Sequence, residues 1–343
     1  MMAESAKVSL SRTTVLVTGG AGYIGSHTVK ALRARGDTVV VYDNFSQGHR
    51  AATAHASVVV EGDIHDTARL RAAFTEHRIE AVMHFAAWLS VGDSVRDPAG
   101  YYRNNVVGAL SVLDAMVLSS VKHLVFSSTC AIFGVPVRTP IDEDLPKSPI
   151  NAYGETKLTI EQALPHYERA YGLRSMALRY FNAAGADPDG ELGEDHDPEI
   201  HVIPRAIDTV LERATFQIFG DDYPTPDGTC LRDYIHVSDL ALAHVLALDA
   251  LRNGASSNAY NLGCGKPTSV REVLASVERV TGKRVPYQLA PRRDGDPAAL
   301  YASSDRIKRE LGWRPQFEDI DVIVETAFRW RQTHPHGYAA VNG

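Results

Sequence analysis

Residues 14–25 read Thr-Val-Leu-Val-Thr-Gly-Gly-Ala-Gly-Tyr-Ile-Gly, and the fold is decided by how this stretch is read. Val15, Leu16 and Val17 make a short apolar run of strand type, the glycines require a tight turn, and Tyr23 to Arg35 then places apolar residues at helical spacing. Gly20 to Gly25 satisfies G-x-G-x-x-G, while Gly19, Gly22 and Gly25 also fit the three-residue spacing used by some dinucleotide enzymes. Without side chains, such a turn lets backbone N–H groups approach a pyrophosphate, and the following helix N-terminus favours negative charge. An ordinary strand-to-helix turn would account for the glycines taken alone. The context narrows the choice. Val39 to Tyr42 reads as a second strand ending in Asp43, roughly 20 residues past the glycines, where an acid grips the adenosine ribose hydroxyls.

Working outward, strand-like runs recur at Val58 to Val60, Ala81 to Phe85, Leu124 to Phe126 and Ser175 to Tyr180. Helical patterning fills Asp66 to Glu76 and Pro98 to Leu118, and Pro149 and Asn151 open a further helix that carries Tyr153 and Lys157. Pro165 is expected to kink or interrupt the second half of that helix. Alternating strands and helices imply an α/β fold, a Rossmann-type doubly wound parallel sheet with ligands at the carboxyl ends of the strands. Asn182 to Glu199, rich in Gly, Pro, Asp and Glu, breaks the alternation. A dinucleotide-binding domain is therefore expected at 13–182, with 235–262 returning to it. A smaller C-terminal α/β substrate-binding domain is expected at 183–234 and 263–338, and residues 1–12 form a flexible extension.

Composition sets outer bounds. A chain of 343 residues, 44% apolar, is long enough for one large or two moderate domains. A net charge of −7 gives no electrostatic footprint for nucleic acid, and no basic block is present to dock on an anionic membrane. Cys130, Cys230 and Cys264 are odd in number and lack C-x-x-C spacing, so neither a disulfide framework nor a zinc site of that kind is expected. No apolar run reaches a membrane span, and Met1 to Arg12 has no hydrophobic centre. The expectation is a cytoplasmic protein with a small-molecule partner and no metal.

Tyr153-Gly154-Glu155-Thr156-Lys157 puts a phenol and an ammonium on one helical face. A free tyrosine titrates near pKa 10 and is a poor base at neutral pH unless nearby positive charge stabilises its phenolate. Lys157 and an oxidised nicotinamide would supply that charge. Ser127-Ser128-Thr129 ends a strand upstream, where a hydroxyl would share a proton with Tyr153.

On these residues the chain resembles the extended short-chain dehydrogenases/reductases, and within them the branch that epimerises UDP-hexoses. The resemblance extends through Tyr42-Asp43-Asn44, Glu61-Gly62-Asp63-Ile64, Tyr101 to Asn105, Leu178 to Asn182, Ile218-Phe219-Gly220 and Asp222 to Thr225. It continues through Arg232 to His236, Tyr260 to Gly263, Arg293 to Asp296 and Leu311-Gly312-Trp313. It implies a redox-neutral isomerase holding NAD and acting at C4 of UDP-glucose and UDP-galactose. Tyr153 would be the acid/base, Thr129 the hydroxyl that bonds the sugar 4-oxygen, and Lys157 the ribose-binding cation. Cofactor contacts carry over to Gly19, Gly22, Tyr23, Ile24, Gly25, Asp43, Asn44, Asp63, Ile64, Phe85, Ala86, Asn104, Ser127, Tyr153, Lys157 and Tyr180. Asn182, His201, Arg232, Arg293 and Asp296 would hold the UDP-sugar, the arginines through their fixed fork of donors. The resemblance also implies a homodimer built on the helices at Pro98 to Leu118 and Asn151 to Tyr171.

Several positions depart from the family pattern. Leu89 stands where a lysine often lies near the cofactor ribose, and His201 replaces an amide residue beside the pyrophosphate. Leu300 falls at the position that gates the sugar pocket, and a one-residue slip would put Tyr301 there. Cys130, beside Thr129, reads as a small buried thiol, and the Cys130-Ala131 pair lacks the acids a dehydratase needs. An epimerase or decarboxylase for another UDP-sugar (UDP-glucuronate, a UDP-N-acetylhexosamine or a UDP-pentose) is the alternative reading. A cofactor sensor without chemistry is opposed by the presence of Thr129, Tyr153 and Lys157.

Overall fold

The strands in chain order are β1 (Thr14–Thr18), β2 (Thr38–Asp43), β3 (Val58–Glu61), β4 (Ala81–His84), β5 (His123–Thr129) and β6 (Arg174–Tyr180). They are followed by β7 (Asn182–Ala184), β8 (Phe216–Phe219), β9 (Leu231–His236) and β10 (Asn258–Leu262), then by β11 (Pro267–Ser269), β12 (Tyr287–Ala290) and β13 (Ala299–Leu300). The structure, a computed structural model, describes residues 12–212, 214–293 and 296–338. Nearly all of the N-terminal extension, and Asp294 and Gly295 of the Arg293 to Asp296 run, lie outside the described residues.

Seven strands form one sheet in the order β10-β6-β5-β4-β1-β2-β3, every neighbouring pair parallel. Parallel strands must be covered on both faces, which is why Val15 to Val17, Val39 to Val41 and Ala81 to Met83 are apolar without alternation. The helices Tyr23–Arg35 and Val237–Arg252 seal one face through Val29, Leu32, Leu240 and Leu248. Thr67–Glu76, Gly108–Leu118 and Ala152–Tyr171 seal the other through Leu70, Phe74, Val112, Met116, Ile160 and Leu164. Strand order reverses between β1 and β4, so the crevice past their carboxyl ends is the topological switch point of the sheet.

Two helix expectations are corrected. Ala152–Tyr171 runs unbroken through Pro165, with Asn151 capping its start through the N–H of Gly154 (2.8 Å) and Gly172 closing it in the left-handed conformation. Pro165 is exposed while Leu158, Ile160 and Leu164 are buried. The carbonyl deprived of its N–H partner can thus be hydrated, which lets the helix continue past the proline. Pro98–Leu118 is not one regular helix. A turn at Pro98–Tyr101 and the helix Gly108–Leu118 flank a π segment, Tyr102–Val107. That wider turn directs Asn105 inward, where its amide donates to Trp88 O and Thr156 Oγ1 (both 3.1 Å) and its oxygen accepts from Trp88 N (2.9 Å).

After β6 the chain builds a second layer. β9 is paired with β7, β11 and β13, and β8 pairs with β12. The helices Val202–Glu212, Val270–Thr281 and Ile320–Thr333 share a core of Ile203, Ile207, Val273, Val277, Ile323 and Val324. β9 pairs within this layer, while Ile235 near its end packs into the core of the large sheet, and Val237–Arg252 and β10 complete the return. No helix of the described residues is long and apolar enough to cross a membrane.

Candidate active site

One cavity of about 540 Å³ opens at the switch point and runs under the second layer. At its inner end the glycine turn meets the end of β4. Gly19 has φ +70°, and a Cβ there would lie 2.6 Å from the backbone nitrogen of Ala86. A Cβ at Gly25 would overlap the carbonyl oxygen of Gly19, so the turn is built for close backbone approach. Gly22 begins the helix with no side-chain cap, and Gly22 to Gly25 line the cavity, leaving the helix N-terminus to an anionic ligand. Asp43, at the end of β2, accepts the N–H of Ala21 (3.0 Å) and of Phe45 (2.9 Å). Burial pushes its pKa up and those N–H groups pull it back. Glycine cradle, uncapped helix start and buried acid are the donor and acceptor set that fits a dinucleotide.

Of the other expected cofactor positions, Tyr23, Ile24, Asn44, Ile64, Phe85, Ala86, Asn104, Ser127 and Tyr180 all line the cavity. Asp63 does not. Its carboxylate is taken by Asn44 Nδ2 (2.9 Å) and by the backbone N–H (2.8 Å) and ring (2.6 Å) of His65. Gly62 and Ile64, on either side of Asp63, face the cavity.

The helix Ala152–Tyr171 and the end of β5 bring Tyr153, Lys157 and Thr129 to the same wall. Burial raises the Tyr153 pKa well above that of a free phenol, and a hydrogen bond with Thr129 pulls in the opposite direction. Burial pushes Lys157 down to about 7, opposed by the Glu161 carboxylate one turn on. Lys157 Nζ donates to Ser127 O at 2.8 Å and lies 5.1 Å from the centre of the Phe126 ring. The Ser127 and Tyr180 hydroxyls meet at 2.5 Å. Cys130 lines the cavity, but burial raises its thiol to about 12, so it is an inert neighbour and no nucleophile.

The outer half of the cavity belongs to the second layer. Asn182, His201, Arg232, Arg293, Asp296 and Leu300 line it. Arg232 is tied to Asp296 and donates to Pro297 O (3.0 Å), while Arg293 stacks 4.0 Å from the centre of Phe219. Asn182 donates to Asp233 O at 3.2 Å. Leu300 pairs with Arg232 across β13 and β9, and Leu300, not Tyr301, faces the cavity. Leu89 also lines it. His201 sits beside Glu194, Glu199 and His196, and these carboxylates raise His201 to about 10 and His196 to about 9 against the pull of burial.

Sequence reasoning missed three supports. Asn105 ties the Trp88 loop to the helix that carries Tyr153 and Lys157, and the Ser128 hydroxyl donates to Glu161 (2.5 Å), which in turn holds Arg179 under the end of β5. Glu194, His196 and Glu199 surround His201. Only the last left a visible trace, the alternation of acid and histidine in Glu194-Asp195-His196-Asp197-Pro198-Glu199-Ile200-His201.

Comparison with known proteins adds the following. The family described as NAD dependent epimerase/dehydratase matches residues 15–263. The chain is 51% identical over 329 residues to a UDP-glucose 4-epimerase of Halalkalibacterium halodurans, covering 96% of this chain and 98% of the relative. It is similar to the crystal structure of UDP-glucose 4-epimerase from Brucella ovis in complex with NAD, with a TM-score of 0.90, 53% identity and coverage of 92% and 97%. A UDP-glucose-4-epimerase from Stenotrophomonas maltophila with bound NAD and formylated UDP-arabinopyranose matches with a TM-score of 0.91 and 39% identity, covering 94% of this chain and 99% of that one.

Proposed function

The chain belongs to the NAD dependent epimerase/dehydratase family, and from that premise we propose that it interconverts UDP-glucose and UDP-galactose by inverting C4, as a UDP-glucose 4-epimerase with NAD. The observation that carries this reading is a single cavity holding the glycine cradle with Asp43 at one end, Tyr153 and Thr129 at its centre, and Arg232 and Asn182 beyond them.

The work of the chain's own residues follows from that order. Tyr153 takes the proton of the sugar 4-hydroxyl, and Thr129 bonds the same oxygen and steadies the phenolate. NAD, when bound, supplies the hydride acceptor and donor for C4, so that a 4-keto sugar forms transiently and no net oxidation results. Lys157 lines the same wall one helical turn from Tyr153, and positive charge there, when Lys157 is protonated, favours the phenolate against the burial that raises the Tyr153 pKa. Once the 4-keto sugar has turned its other face to the cofactor, Tyr153 returns the proton. Arg232 and Arg293 hold the pyrophosphate during the turn, anchoring the nucleotide while the hexose moves.

We assign substrate binding to 183–234 and 263–338 and cofactor binding to 13–182 with 235–262. A homodimer through the two helices beside the catalytic wall is supported by Tyr102, Val107, Leu118 and Tyr171, which expose between 40% and 61% of their surface there. A cytoplasmic role in galactose metabolism completes the proposal.

The test is Tyr153→Phe in the purified holoenzyme. The ring remains and the hydroxyl is lost, so bound NAD is retained while epimerisation falls by about 100-fold or more. Near-parental turnover of UDP-galactose would sink Tyr153 as the acid/base.

A further inference from the structure

Between β7 and the helix Val202–Glu212 the chain gathers two imidazoles and two carboxylates at one point, with Glu194, His196 and His201 in the cavity wall and Glu199 behind them. His201 Nδ1 lies 2.6 Å from Glu194 Oε1 and 3.2 Å from Glu199 Oε1. His196 Nδ1 lies 3.2 Å from the same Glu194 oxygen and 3.8 Å from Glu199 Oε2. Nitrogen and oxygen ligands set tetrahedrally around a zinc ion at about 2.0–2.1 Å are about 3.3 Å from one another. The observed separations scatter around that value.

A second observation points the same way. Glu194 is 8% exposed, yet its Oε1, His196 Nδ1 and His201 Nδ1 have no hydrogen-bond partner. They are close enough to bond but wrongly angled, so the polar atoms converge on a common point instead of on each other. A buried polar atom left in that condition is costly, and an ion at the point of convergence would satisfy all of them. The surroundings are organised for the purpose. Glu199 Oε1 accepts the N–H of Ile200 and of His201, both at 2.8 Å, which fixes the carboxylate. The Tyr23 ring meets His196 edge-on with centroids 6.3 Å apart, and its hydroxyl is anchored on Gly185 O at 2.6 Å. Behind the cluster, a crevice of about 30 Å³ is lined by Glu194, His196 and Glu199.

We propose that Glu194, His196, Glu199 and His201 form a binding site for one divalent transition ion, zinc being the best match to two nitrogen and two oxygen ligands. The ion takes the place of the protons that the carboxylates hold on the two imidazoles, and two carboxylates then balance its double charge. The acidic group Asp187, Asp189 and Glu191 has no such need, because Lys30 sits among the three at 2.7 to 2.9 Å. Bound there, the ion pins the segment that carries His201 to the cavity wall and fixes the ring facing the substrate half. The inference rests on the side-chain geometry and is independent of the reaction proposed above.

The test is to strip the full-length protein with a chelator and titrate it with zinc chloride against a chromophoric competitor. One zinc per chain is expected, with a dissociation constant in the micromolar range or tighter. Glu194→Gln and His196→Gln should each weaken it by about 10-fold or more, as the loss of a group that serves a metal does. Asp189→Asn, in the neighbouring acidic group, should leave it unchanged. The proposal is overturned if the parent protein binds well under one zinc per chain, or if both variants bind as the parent does, since zinc would then sit on other histidines. Should either variant fail to fold, the parent titration and the remaining variant still decide.

Discussion

Glu161→Gln breaks the buried ion pair that joins the helix Ala152–Tyr171 to β6. Arg179 reaches the Glu161 carboxylate through contacts of 2.9, 3.1 and 2.5 Å, and Ser128 donates to it at 2.5 Å. The two charged side chains are 6% and 7% exposed, so water cannot take over a stranded guanidinium. Removing one member of a buried pair costs about 3–5 kcal/mol. The amide keeps the volume and can still accept from Ser128, which confines the change to charge. At about 2 °C per kcal/mol for a chain of this size, the melting temperature should fall by about 6–10 °C. Adding Arg179→Met removes the unpaired charge and should recover at least half of the loss. A second readout comes from Lys157, whose pKa is lowered to about 7 by burial, with Glu161 opposing the shift. Without that carboxylate the pKa drops further, Lys157 loses its charge at lower pH, and the alkaline limb of the kcat profile moves toward acid. Differential scanning fluorimetry and a pH–rate profile measure both effects. A variant melting within about 1 °C of the parent, or a double variant no more stable than the single, refutes the reasoning.

Three further outcomes are expected. Asp43 should exclude NADP, because its buried carboxylate is held against the glycine turn by the Ala21 N–H, where a ribose 2′-phosphate would meet it, and like charges in contact cost several kcal/mol; cofactor released from purified protein should be NAD, and Asp43→Ser should raise relative NADP binding, with a parent that releases mainly NADP counting against the assignment. Leu300→Ser should raise kcat/KM for UDP-N-acetylgalactosamine relative to UDP-galactose by about 10-fold, the scale of one unpaired polar group, whereas no gain would remove Leu300 as the gate. His27, His84, His236 and His244 are buried, and burial lowers them from 6.5 to about 4, 3, 3 and 4. The unfolded chain therefore binds more protons than the folded one as pH drops below 6.5, and stability should fall by up to about 1.4 kcal/mol per pH unit per histidine. His244→Leu should reduce that slope in urea titrations by up to about 1.4 kcal/mol per pH unit, the share of one histidine, and a slope unchanged by the substitution would show that His244 is not held neutral.

The first βαβ unit and the chemical core were legible because their signals are local. Val15 to Val17, the glycines and Asp43 lie within thirty residues, and each needs only backbone geometry and strand order to act. Tyr153 and Lys157 are one helical turn apart, so spacing alone puts them on one face. Pro165 and the π segment at Tyr102–Val107 were misread for the opposite reason. Local propensity argued for a break in one helix and none in the other, whereas the helix continues through an exposed Pro165 and the other run widens where Asn105 turns in to Trp88 and Thr156. The amino-acid sequence by itself determined the parallel sheet, the glycine turn that meets the end of β4, and the placing of Tyr153 and Lys157 on one helical face, since those depend on short-range periodicity and residue type. Only the tertiary structure decided that Asp63 turns to His65, that Glu161 holds Arg179 beneath the active site, and that Glu194, His196, Glu199 and His201 converge. Those contacts join side chains whose directions are set by packing of distant segments and are not written in any local spacing.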